Sequence, residues 1–131
     1  MTNKADYFKT FCNISQAFGT AATQQELLDL VVASAVHALD GKAACLFLAD
    51  ERRDLFVPMA QHGLSENYLH ASPLKAQKLV RALLREGHLA FEDAPRDPRL
   101  ENHAAKSREG IASILTVPVR VADRTIGVLS L

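Results

Sequence analysis

Two apolar runs close the chain, Ile111 to Val121 and Thr125 to Leu131, with only Ala122-Asp123-Arg124 between them. Short runs rich in Val, Ile, Leu and Thr, divided by a tight polar turn, read as an antiparallel hairpin. A lone hairpin is marginal in water, so this one must belong to a larger sheet. A second hairpin stands near the middle of the chain. Ala43 to Ala49 is a short buried strand, Asp50-Glu51-Arg52-Arg53-Asp54 a charged turn, and Leu55 to Gln61 its return strand. Pro58 places that return strand at a sheet edge, because proline donates nothing to a ladder.

Helices fill the intervals. Tyr7, Phe11, Ile14 and Phe18 recur at helical spacing over residues 3–18, with Gly19 as the expected stop. Thr23-Gln24-Gln25-Glu26 has the capping-box pattern, and Leu28, Val31, Val32, Ala35 and Leu39 continue the period until Asp40-Gly41 ends it. Ser72-Pro73 predicts a further helix start, with Leu79, Val80, Leu83 and Leu84 inward, Lys75, Lys78, Arg81 and Arg85 in water, and Gly87 as the stop. His88 to Phe91 is a short strand, and Asp97 is expected to cap a short helix begun by Pro98. Hairpins at both ends and helices between them predict an α+β fold: one antiparallel sheet of five to six strands with helices on both faces.

The length of 131 residues suits one domain, and 48% apolar residues supply its core. Lys plus Arg and Asp plus Glu are equal at 15 each, which argues against a nucleic-acid surface or a polybasic membrane patch. No apolar run approaches a membrane span and no secretory leader is visible, so neither membrane insertion nor export is expected. Cys12 and Cys45 are too few for a disulfide framework and lack metal-site spacing, which fits a reducing, cytoplasmic setting.

"GIASILTVPVRVADRTIGVLSL" resembles the closing signature of GAF domains, carried by Gly110, Ile111, Ser113, Val117, Pro118, Ile126, Gly127, Val128 and Leu129. "QELLDLVVASAVHALDGKAACLFLADERRDLFVPMAQHG" is similar to that family's second helix and first hairpin, and "EDAPRDPR" to its Asp-x-x-x-Asp-Pro-Arg segment. The resemblance implies a sensor or regulatory domain of a signal-transduction protein, without catalysis. Such a domain binds a small molecule on one sheet face, or dimerises, to control an attached output domain. It also implies that residues 1–131 are a single domain cut before the family's C-terminal helix, and a homodimer through the N-terminal helix. The roof of the implied pocket is about residues 63–71 and 92–109. Strand alternation puts Cys45, Phe47 and Ala49 on one face and Ala44, Leu46 and Leu48 on the other. The match to bilin-binding members turns Phe47, Ala112, Ile114 and Thr116 toward the pocket. A flat aromatic molecule would stack on Phe47 or Phe91, with Asp93 or Thr116 supplying polarity.

More specific chemistries are weighed against these residues. Bilin attachment needs a cysteine near the helix after the third strand, and residues 92–109 contain none. The cyclic-nucleotide motif of phosphodiesterase-type members is absent, since Asn102 and Lys106 lack its spacing. Free methionine sulfoxide reduction needs a reactive thiol and a resolving partner, whereas Cys12 falls in a helix and Cys45 in a buried strand. His62 and His70 border the roof but lack a carboxylate or thiol at ligand spacing, so no metal is expected. Noncovalent haem needs only one axial histidine and stays open, as does a purely structural dimerisation module with a filled pocket. The cofactor is left unassigned.

Overall fold

The computed structural model describes residues 23–50, 52–69 and 76–131, together with the single positions Cys12, Gln16 and Gly19. The stripe at Tyr7, Phe11, Ile14 and Phe18, the dimer contact expected through it, and the Ser72-Pro73 helix start lie outside the described residues. Gly19 is itself helical, and the residues between it and Thr23 lie outside the described residues.

Five strands form one sheet in the order β2-β1-β5-β4-β3, every neighbouring pair antiparallel. They are β1 (Ala44–Asp50), β2 (Leu55–His62), β3 (Leu89–Phe91), β4 (Ile114–Val121) and β5 (Arg124–Ser130). The described helices are α1 (Gln24–Leu39), α2 (Glu66–Leu69), α3 (Ala76–Glu86) and α4 (His103–Glu109). None is long and apolar enough to cross a membrane. Both terminal hairpins and the predicted fold class are therefore present.

Local chemistry accounts for the element ends. The Thr23 hydroxyl accepts from the Glu26 amide at 3.1 Å and starts α1, and Asp40, left-handed at φ 51°, ends it. The Asp50 carboxylate accepts from the Arg52 and Arg53 amides and turns the chain from β1 into β2. Pro58 sits on β2, the outer strand, as expected. Pro118 is tolerated deeper in the sheet because β3 pairs with β4 only from Ile114 to Thr116.

Each sheet face has its own core. On the front, Phe56, Leu89, Phe91 and Val128 pack with Leu83 of α3, joined by Phe47, Ala49 and Ile114. On the back, Ala44, Leu46 and Ala60 pack with Val32 of α1, flanked by Leu28, Ala35 and Val36. The alternation expected along β1 is thus observed. Phe56 and Ala60 share a parity yet face opposite cores. A bulge at Met59, where Leu46 opposes Ala60 but Phe47 opposes Pro58, makes the switch.

Four expectations need correction. Leu84 is 61% exposed and Ala82 packs inward instead, because the side of α3 that meets the sheet is centred on Leu83. Leu39, in the last turn of α1, is also exposed. The last hairpin begins at Ile114, since Ile111 donates its amide to the Lys106 carbonyl and finishes α4. Asp97 caps a single turn through the Arg99 amide at 2.9 Å, and the helix proper starts five residues beyond Pro98, at His103.

Candidate functional site

A cavity of about 520 Å³ lies where β1 and β4 begin and β3 and β5 end. Antiparallel pairing brings these four ends together: Cys45 opposes Ser130, Ser130 opposes Thr116, and Phe91 opposes Ile114. Cys45, Phe47, Phe91, Ile114 and Ser130 line it from the strands. Leu64 and Tyr68 cover it from the β2–α2 connection, and Gly110, Ile111, Ala112 and Ser113 from the segment between α4 and β4. Asp40, Gly41 and Lys42, just past α1, and Glu92 also line it.

The cavity therefore gathers Cys45, Phe47, Phe91, Ala112 and Ile114 of the expected residues. Thr116 and Asp93 are placed elsewhere. Thr116 is buried and hydrogen-bonded through its hydroxyl to Ser130 at 2.9 Å, one residue behind the wall. Asp93 is exposed and paired with Arg96 at 3.2 Å. Leu64 and Tyr68 fall in the roof expected over residues 63–71, whereas Lys42 and Ser113 were not singled out as lining residues, because they sit in connections whose sequence carries no periodic signal. Of the roof expected over residues 92–109 only Glu92 lines the cavity, and residues 110–113 supply the rest after β3.

The segment before that roof is structural. The Arg99 guanidinium lies 4.5 Å from the Phe91 ring centroid, bonds the Asp97 carboxylate at 2.7 Å and donates to the Ala90 carbonyl at 3.3 Å. This clamp fixes β3 against the crossing that follows it, and Arg99 holds the Asp97 carboxyl down to about 2.

Burial pushes the Cys45 thiol up to about 12, so it stays protonated at neutral pH and is no nucleophile in this conformation. Tyr68 is also raised, first by burial and then by Cys45 and Glu109. Glu109 is held below the ordinary carboxylate range, chiefly by the Ser65 hydroxyl and amide. Lys106 is 2% exposed, donates to the Glu101 carbonyl and lies 6.0 Å from the Tyr68 ring centroid. Its burial lowers its pKa, against the opposing effect of Glu101. Among the described residues no cluster of metal-ligating side chains occurs, and no described histidine lines the cavity.

A family model described as GAF domain matches residues 21–131. The chain belongs to the GAF domain family. Its fold is similar to the GAF domain from a phosphoenolpyruvate-protein phosphotransferase of Coxiella burnetii, with 25% identity and a TM-score of 0.77 over 98% of this chain and 78% of that one. The free methionine-R-sulfoxide reductase from Neisseria meningitidis, solved with its substrate, is 19% identical with a TM-score of 0.71, covering 99% of this chain and 75% of that one. A domain of a two-component sensor histidine kinase protein from Sinorhizobium meliloti is 23% identical, with a TM-score of 0.64 over 84% and 72%. The latter two likenesses are of fold alone. No curated protein sequence matches the chain.

Proposed function

We propose that this GAF domain is the regulatory sensor of a signal-transduction protein, and that it binds a small molecule in the cavity at the sheet end. The observation that carries the reading is the cavity itself. It is an open-sided hollow of about 520 Å³ with Phe47 and Ile114 in its wall, and small-molecule sites are concave, mostly apolar clefts of this size. Most of its lining side chains are apolar, while Asp40, Lys42, Tyr68, Glu92, Ser113 and Ser130 supply the polar groups. That composition suits a ligand with an apolar body and few polar substituents. Occupancy biases the output only through a difference in affinity between two arrangements of the domain. A homodimer through the N-terminal helix is part of the same proposal.

A second reading, thiol-dependent reduction, is prompted by the fold shared with the Neisseria enzyme. Cys45 does line the cavity, but its thiol is protonated and Cys12 is not among the lining residues, so no resolving thiol stands beside it. The binding reading is the stronger one.

The test is native mass spectrometry with an absorbance scan on protein purified without added ligand, followed by a thermal-shift screen of metabolites. A co-purified molecule, or a stabilising compound, that is lost in Ala112→Trp is the expected result. Ala112 is an exposed wall position, so the indole fills the void without entering the buried core. Bare protein that no compound stabilises refutes the binding reading. A bare, clean dimer favours the structural module.

A further inference from the structure

The roof contributed by Leu64 and Tyr68 is held at one point by a residue distant in sequence. The Glu109 carboxylate accepts from the Ser65 amide at 2.8 Å through Oε1 and from the Ser65 hydroxyl at 2.6 Å through Oε2. The same Ser65 hydroxyl oxygen accepts from the Tyr68 amide at 3.2 Å. A continuous line of hydrogen bonds thus runs from the last turn of α4, through Ser65, to the tyrosine over the cavity. One helical turn before Glu109, Lys106 faces the Tyr68 ring. From the opposite side Lys42, another cavity residue, donates to the Glu109 carbonyl. In sequence, Ser65 and Glu109 are 44 residues apart.

We infer that Leu64–Tyr68 is a lid over part of the cavity and that the Glu109 carboxylate is its latch, so that breaking the Glu109–Ser65 contact widens the cavity mouth and uncovers its buried wall at Cys45. The geometry suits a device that opens without unfolding the domain. Ser65 and Glu109 are both solvent-accessible, and neither belongs to either hydrophobic core. Contacts of this kind, few in number and at the surface, define the low-stability end of a native structure. Two hydrogen bonds to one charged carboxylate are strong enough to keep the lid shut most of the time. As the control of a ligand site, the inference rests on the binding reading above; as a mechanical element it does not.

Cys45 reports the lid directly. It shares the cavity wall with Tyr68 and is 2% exposed. A small maleimide therefore reaches Cys45 only through an opened state. The experiment measures that labelling rate in Cys12→Ser protein, alone and combined with Glu109→Ala or Ser65→Ala, in rising urea below the unfolding transition. Hydrogen exchange at the Ser65 and Tyr68 amides is followed in parallel.

Each variant is expected to label about tenfold faster or more, the equivalent of losing one charge-assisted hydrogen bond. The increase should depend little on urea, since a local opening exposes little surface. Faster exchange at the Ser65 amide should accompany it. Unchanged labelling in both variants overturns the latch. So does an increase whose urea dependence equals that of global unfolding. If Glu109→Ala does not fold, Ser65→Ala decides, because it removes the hydroxyl bonds to Glu109 and Tyr68 while keeping the helix end of α4 intact. Faster labelling with no ligand ever found sinks the binding reading and leaves the lid standing. A ligand bound by variants that label at the parent rate does the reverse.

Discussion

Gly127→Ala is the substitution this fold should tolerate least. Gly127 opposes Leu48 across the β1–β5 pair, and β5 is the central strand of the sheet. A Cβ there would stand 2.1 Å from the Phe47 carbonyl oxygen and 3.1 Å from both the Leu48 Cα and Cδ2. An unstrained carbon–oxygen contact is about 3.3 Å or longer, so the backbones must part by roughly an ångström. No side-chain rotation relieves the clash, because the obstructing oxygen belongs to the main chain of a strand paired on both sides. Overpacking together with loosened ladder bonds costs about 2–4 kcal/mol. With about 4 °C per kcal/mol for a domain of this length, the melting temperature falls by roughly 8–16 °C. Far-UV circular dichroism on heating reads this. Gly87→Ala is the control: it has positive φ but open space around its Cβ, so only backbone strain of about 1–2 kcal/mol acts. A fall of less than about 3 °C for Gly127→Ala, or one no larger than for Gly87→Ala, refutes the steric account.

Three further outcomes are expected. Ala122, in the last hairpin turn, has φ 53°, so Ala122→Gly should raise the melting temperature by a few degrees, about 1 kcal/mol; a decrease contradicts the assigned strain. Leu83→Ala should cost about 2–5 kcal/mol in urea unfolding, because Leu83 is 1% exposed. Leu84→Ala, at a position 61% exposed, should stay within about 0.5 kcal/mol, and equal losses would reverse the assigned orientation of α3. Arg99 depresses the Asp97 carboxyl to about 2, below the roughly 3.9 of an unfolded aspartate. The stabilisation is complete above about pH 4 and fades as pH falls through about 2. The melting-temperature gap between wild type and Asp97→Asn should therefore close across that window, and a gap independent of pH removes the assignment.

Much of the architecture was legible because its signals are local. Thr23 three residues before Glu26 supplies a cap wherever a helix follows. Asp40-Gly41 ends that helix with a left-handed residue and a glycine. Alternation along Cys45, Phe47 and Ala49 separates the two sheet faces whatever packs on them. The family signature adds order to these pieces. What escaped was positional detail decided between elements. Leu84 continues the apolar pattern of α3 and still faces water, because the orientation of the helix on the sheet depends on which side chains fit between Phe56 and Phe91. The bulge at Met59 stands beside Pro58, which marks an edge strand or a bulge without deciding between them; it reconciles a front-facing Phe56 with a back-facing Ala60.

The candidate site divides along the same line. Period two puts Cys45 on the same face as Phe47, the family match turns Phe47 and Ile114 toward the pocket, and Phe91 stood out as an aromatic able to stack on a flat ligand. Ala112, in the roof, came from the family match. Tyr68 and Glu109 fall in the expected roof segments, but their contacts, and Lys42 altogether, were not legible, since each acts through a partner reached only after the sheet has brought its strand ends together. The chain's own order of residues determines the strands, the caps, the apolar faces and the family, all of which depend on spacings of two to four residues. The cavity, the protonated thiol in its wall and the Ser65–Glu109 latch depend on contacts across the fold, and those exist only once tertiary packing has closed the distance.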